Sequence, residues 1–230
     1  MDYQKMNTSS NNSYGFTLVE LMIAMTIAGI IMGAIYTAYI TQQRTYLVQE
    51  QVAEMQQNIR AGLDMMVREI RMAGFDPTGN AGAGITLATA GRFSFTQDIN
   101  GDGTIPTAAP FGGEIVAFGF SNANDTDNDG LADAGAAPLG RDTGGGFQPI
   151  AENIQAIEFH YLDSDGDATT TLEDIRAVQI SILARAYRED GHFTDTTTYT
   201  TASGVDWGPF NDNFHRRFQI KTVKIRNMGL

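Results

Sequence analysis

Three short stretches of the 230-residue chain place side-chain oxygens at alternate positions. They are Asp98, Asn100 and Asp102; Asp125, Asp127 and Asp129, with Asp133 close behind; and Asp163, Asp165 and Asp167, with Asp174 further on. Calcium takes roughly six to eight oxygen ligands, and a tight loop with oxygens at its first, third and fifth positions aims them at one centre. Gly103 and Gly130 occupy the sixth position of the first two loops, where the chain turns most sharply. None of the three is a complete calcium loop: the first two lack the closing acid, while the third has Asp174 there but Ala168 in place of the glycine. The same residue types also build hairpin turns with no ion involved. Charge density favours a cation, because carboxylates crowded into so few residues repel one another unless they are bridged. The expectation is a Ca2+ site, first in the Asp125, Asp127, Asp129, Asp133 loop and less in the other two, and no organic cofactor.

A second chemistry stands near the start of the chain. Leu21 to Ile40 carries no charge and is long enough to span or sit in a bilayer. Glu20 lies at its head, and a carboxylate in hydrocarbon costs roughly 2.5–3.5 kcal/mol even on lenient insertion scales. It needs a counter-charge. An α-amino group would serve, and one arises nearby only if the chain is cut between Gly15 and Phe16. Within the run Gly29 and Gly33 have the small-x-x-x-small spacing that lets helix backbones approach closely.

Other chemistries find little support. Net charge is −12, with aspartate outnumbering glutamate two to one, which argues against direct binding to a nucleic-acid backbone. Cysteine is absent, so neither a disulfide frame nor a thiolate metal site can form. His160, His192 and His215 are scattered, and no nucleophile-elbow or zinc-helix motif occurs. Gly144, Gly145 and Gly146 lack the spacing of a phosphate loop. Trp207, the single tryptophan, reads as a loop residue plugging the core. An enzyme is not expected.

The elements that position these residues follow from periodicity. Val48, Val52, Met55, Ile59, Leu63, Met66 and Ile70 recur at three- and four-residue steps with charged and amide residues between them, which predicts an amphipathic helix continuing the apolar run. Running from Phe16 to about Met72, such a helix would be roughly 85 Å long. Gly74 and Pro77 supply its stop. Asp76 to Gly91 reads as a surface connection and Ala134 to Pro149 as a mobile loop. Strands are expected at 92–96, 114–120, 154–162, 177–186 and 218–225, the last with room for a bulge between Ile220 and Val223. Thr194 to Thr201 reads as an edge strand or, in preference, as the loop side of a hairpin. Arg216, Arg217, Lys221, Lys224 and Arg226 make a basic closing strand, either a solvated face or a contact for an acidic neighbour. The fold class is α+β, a long N-terminal helix packed on a C-terminal antiparallel sheet.

Gly15-Phe16-Thr17-Leu18-Val19-Glu20 resembles the cleavage and assembly signature of type IV prepilins and of the pseudopilins of type II secretion. That resemblance implies cleavage after Gly15 by a prepilin peptidase, N-methylation of Phe16, and an assembly role for Glu20. The wording of the helix, Gln42 to Tyr46, Met55 to Arg60 and Arg68 to Phe75, and of the tail from Arg216 to Asn227, is similar to PilW-type minor pilins. It implies a leader at 1–15, a membrane and filament-core helix at 16–40, an amphipathic helix at 41–74 and a β-rich domain at 75–230. It further implies a structural subunit held in the bacterial inner membrane with its domain in the periplasm. From there it would join major and minor pilins in a cell-surface type IV pilus, at or near the tip. A minor pseudopilin of type II secretion, or a membrane-anchored calcium-dependent adhesion module, are the alternative destinations. The leader, with Lys5 against Asp2, lacks the usual basic excess.

Overall fold

The computed structural model describes residues 15–108 and 112–228; the leader expected at Met1 to Tyr14 lies outside the described residues. Helix α1 runs Leu18–Ile70, two residues short of the expected end. Gly74 closes it with φ +74°, and its amide donates to the carbonyl of Thr96. The chain divides into two compact units, one ending at Leu47 and one beginning at Val48.

In the first unit every described residue except Ile40 is exposed. Among the described residues α1 is the one helix long and apolar enough to cross a membrane, with a mean hydropathy of 2.2 in its most apolar window.

In the second unit α1 buries Met55, Ile59, Leu63, Met66 and Ile70, the stripe that the sequence predicts. Each large apolar side chain taken fully from water contributes about 1.5–3 kcal/mol. They share one cluster with Phe93, Phe95, Phe118, Ile157, Phe159, Ile180 and Ile182 from the sheet. Gly62 is on the same face because a Cβ there would stand 3.0 Å from the Cβ of Ala151. One turn earlier Asn58 clamps the helix to the sheet, its Oδ1 accepting from the amide of Glu152 at 3.0 Å and its Nδ2 donating to the Glu152 carbonyl.

The sheet has seven antiparallel strands: β1 (Ile85–Ala88), β2 (Arg92–Thr96), β3 (Ile115–Gly119), β4 (Ala137–Asp142), β5 (Gln148–Leu162), β6 (Ala177–Arg185) and β9 (Arg216–Lys224). Their spatial order is β1-β2-β3-β4-β5-β6-β9, so hairpins build it strand by strand until β9 arrives from the end of the chain. A two-stranded ribbon, β7 (Tyr199–Thr200) with β8 (Asp206–Trp207), stands apart from it. A 3-10 turn, Leu172–Asp174, precedes β6.

Three sequence readings change. The connection at 76–91 contains β1, and the loop at 134–149 contains β4 and the start of β5. Pro138 and Gly140 hide β4, since both are poor strand formers, and its pairing comes from neighbours already in place at Gly119 and Pro149. The bulge considered between Ile220 and Val223 does not occur. β9 pairs with β6 in unbroken register from Arg216↔Arg185 to Lys224↔Ala177. Its alternation fails because Gln219, Ile220, Lys221 and Thr222 are all exposed, so neither face is covered there.

Successive strand residues point to opposite faces, so Ile182 joins the helix-side core while Leu183 looks the other way. There Ala156 and Leu183 meet Trp207, with Tyr199, Phe210 and Phe218 around it. Trp207 is the expected plug, though over the second face. The strap that carries it is held by Glu158, whose Oε1 accepts from Thr201 at 3.0 Å and from Ser203 at 2.6 Å.

Candidate functional sites

The head of α1 is built by Thr17 and Glu20. The amide and hydroxyl of Thr17 each donate to Oε2 of Glu20 at 2.8 Å, and the amide of Glu20 donates to the Thr17 hydroxyl at 3.2 Å. This reciprocal pattern is a capping box, which satisfies amides that the first helical turn leaves without partners. Only one oxygen of Glu20 is engaged; Oε1 has no hydrogen bond among the described residues. The Thr-x-x-Glu spacing is the sequence signal that finds this cap, and the reading of Glu20 as a lone acid overlooks it.

Further along, Gly29 and Gly33 are exposed, and a Cβ at either would meet nothing within 4 Å. The hydroxyls of Thr26, Thr37 and Thr41 donate to the carbonyls of Met22, Gly33 and Thr37 at 2.8, 2.8 and 2.9 Å. Each of these hydroxyls is thus satisfied inside its own helix, which suits an apolar surrounding. Gly15 and Phe16 are exposed ahead of the helix, Phe16 at 89%.

The acidic loops separate into different arrangements. In the 125–130 loop one oxygen from each of Asp125, Asp127 and Asp129 lies within 4.8 Å of the other two. Asp125 is buried; its Oδ1 accepts from the amide of Asp129 at 3.2 Å and its Oδ2 from that of Gly130 at 3.1 Å. Burial raises its carboxyl above the ordinary aspartate value; the Gly130 amide opposes this and the charge of Asp129 adds to it. Gly130 has φ +86°, and a Cβ there would fall 2.1 Å from the carbonyl oxygen of Ile157. The loop is pinned to β5 at that point, with the Ile157 amide donating to the Gly130 carbonyl. Asp133 faces the start of the loop, its Oδ2 accepting from the amide and hydroxyl of Thr126 at 3.2 and 3.0 Å.

All three loops spend oxygens on their own turns, the 125–130 loop included, where Oδ1 of Asp127 and of Asp129 accept from the amides of Asp129 at 3.3 Å and Leu131 at 2.7 Å. Asp98 is fully buried and accepts from the amides of Gly101 at 2.7 Å and Gly103 at 3.0 Å. Asn100 donates to Asp102, while the hydroxyl and amide of Thr104 hold the Asp102 carboxyl below its usual range. Asp163 gathers the amides of Asp165, Gly166 and Asp167 on one oxygen, leaving Asp165 and Asp167 exposed. Asp174 ends the 3-10 turn.

The basic tail is not uniform. Arg216 has no exposed side-chain surface: it pairs with Asp195 at 3.0 Å and Asp212 at 2.6 Å, donates to Gln155 at 2.7 Å, and stacks over Phe210 at 4.1 Å. The expectation of a solvated or partner-facing Arg216 is corrected; it fastens the strap over the second face. Arg217, Lys221, Lys224 and Arg226 remain exposed. His215 stacks on Phe193 and bonds to Asp190, a packing role.

The prokaryotic N-terminal methylation motif matches residues 10–36, which contain the glycine, phenylalanine and glutamate at the head of the helix. No curated protein matches the chain. Among solved structures, a type IV-like pilin from Thermus thermophilus matches with 14% identity and a TM-score of 0.44, covering 76% of this chain and 98% of that one. The pattern of type IV pilus-assembly protein W matches residues 96–227, more than half of the sequence. The chain belongs to the type IV pilus-assembly protein W family.

Proposed function

We propose that this chain is a minor pilin, a structural subunit that a prepilin peptidase cuts after Gly15 and that carries an N-methylated Phe16. It waits in the inner membrane with its β-rich domain in the periplasm, then joins other major and minor pilins in a cell-surface filament, promoting initiation at or near the tip. The observation that carries this reading is the exposed, uncharged surface from Leu21 to Tyr39, headed by a carboxylate with one oxygen unengaged. Lipid covers such a surface before assembly; neighbouring subunits' helices replace lipid in the filament, with Gly29 and Gly33 allowing close approach. Glu20 takes its counter-charge from the α-amino group of an adjoining subunit, which offsets the cost of an acid in an apolar core. Glu20→Ala leaves processing intact and impairs incorporation, whereas replacing Gly15 by a bulky residue blocks cleavage. Normal incorporation of Glu20→Ala would overturn the reading. In a deletion strain, loss of protein secretion with intact pili would instead assign the chain to a type II secretion machine.

The convergence of Asp125, Asp127 and Asp129 supports a second element, a weak Ca2+ site in that loop. Three carboxylates supply the charge for a hard cation, and weak extracellular modules bind calcium with dissociation constants of about 0.1–1 mM. A bound ion raises the melting temperature by mass action. Identical melts in chelator and in excess calcium would remove the site, and Asp127→Ala should abolish the calcium-dependent rise.

A further inference from the structure

β9 closes one edge of the seven-stranded sheet, and among the described residues nothing pairs with its outer side. Residues of an antiparallel strand alternate in pointing their amide and carbonyl toward one neighbour or the other. The amide of Ile225 donates to Arg176 and the carbonyl of His215 accepts from Ala186, which sets the odd-numbered residues toward β6. Phe218, Ile220, Thr222 and Lys224 therefore turn their backbone groups outward, and none of these has a hydrogen-bond partner among the described residues. The edge is long, nine residues, and its register is regular throughout. At its middle, Gln219 to Thr222, both faces are exposed, including Ile220 at 42%.

Its charge is equally one-sided. From Phe214 to Asn227 there is no acid, while Arg217, Lys221, Lys224 and Arg226 are exposed, in a chain whose net charge is −12. Arg217 and Lys221 share one face of the strand, with Gln219 between them. Edge cations also guard against self-association: an antiparallel pair of β9 strands would bring these cations against their own kind. A second copy pairing through β9 is therefore disfavoured, and an acidic strand is favoured.

We propose that the free edge of β9 receives an extended, acidic segment of another protein chain, which adds to the sheet as an eighth strand. Backbone hydrogen bonds supply the pairing, and carboxylates opposite Arg217 and Lys221 select the partner and its register. The inference adds a contact to the assembly reading without resting on Glu20. The assay below reads the edge alone, so its failure would leave incorporation through the helix untouched.

The test uses the full chain in detergent micelles and a synthetic, end-blocked peptide matching β9 in length. The peptide alternates threonine and valine, with glutamate at two positions spaced as Arg217 and Lys221 are. Hydrogen exchange at single amides is the readout. Binding should slow exchange at Phe218, Ile220, Thr222 and Lys224. Arg217→Glu with Lys221→Glu should weaken binding about tenfold and reverse the preference toward a lysine version of the peptide. Methylating the peptide amides that face β9 should abolish binding, while methylating the alternate set should not. Ile220→Pro removes an outward amide without touching the β6 ladder and should likewise abolish it. Absence of protection at the outward amides, indifference to which amides are methylated, or stronger binding of oligothymidylate than of the acidic peptide would each overturn the proposal.

Discussion

Replacing Arg216 by alanine isolates the interaction that fastens the 187–215 strap. The guanidinium has no exposed surface, and Asp195 beside it is only 1% exposed. Its removal leaves Asp195 buried with the Tyr199 hydroxyl and the Thr197 amide as its remaining donors. Asp212, whose side chain is 34% exposed, can turn to water instead. Stranding one member of a buried pair costs about 3–5 kcal/mol. For a chain of this size that corresponds to a fall in melting temperature of roughly 10 °C, at about 2–4 °C per kcal/mol. Trp207 is carried by the same strap, so its fluorescence reports the local event while far-ultraviolet dichroism reports the whole fold. Arg216→Ala should lower the Trp207 transition more than the dichroism transition, and adding Asp195→Ala should recover at least half of the loss.

The acid limb offers an independent check. Burial alone would raise Asp195, but the Thr197 amide, Tyr199 and Arg216 together hold it below the ordinary aspartate range. Asp212 is held low first by its hydrogen bond to Arg216. A carboxyl depressed in the folded state contributes stability that is present above its unfolded pKa and is lost as pH falls through the folded value. The wild-type chain should therefore lose stability below about pH 4, and Arg216→Ala should lose less over the same interval. A loss of under about 1 kcal/mol, or no recovery in the double variant, would refute the reasoning.

Two further substitutions probe the frame around the candidate sites. Gly130→Ala places a methyl group 2.1 Å from the Ile157 carbonyl at a φ of +86°, and should destabilise the domain by about 1–3 kcal/mol or more in thermal melts. Asn58→Ala removes both bonds to the Glu152 backbone and should cost about 1–3 kcal/mol in denaturant titration.

What could be read from the sequence follows from where local pattern and tertiary context agree. The buried stripe from Met55 to Ile70 and strands β2, β3, β5 and β6 are legible because each turns one regularly spaced set of apolar residues to the helix-side core. β4 is not, since Pro138 and Gly140 argue against a strand and only the neighbours on both sides impose one. Arg216 and Arg217 look alike in sequence; strand alternation places them on opposite sides, and only the folded chain brings Asp195 and Asp212 to the first of them. The three acidic loops share one pattern, yet glycine amides absorb the oxygens of Asp98, while Asp163 collects three amides on one of its own. Spacing does not reveal that difference, because it depends on which backbone groups the turn leaves free.

The mass of the mature N-terminus tests the central claim most directly. Chain recovered from sheared filaments should begin at Phe16 and carry an N-methyl group, leaving Glu20 beside a newly made cationic end. Chain that begins at Met1 and is found only in the membrane would contradict the account.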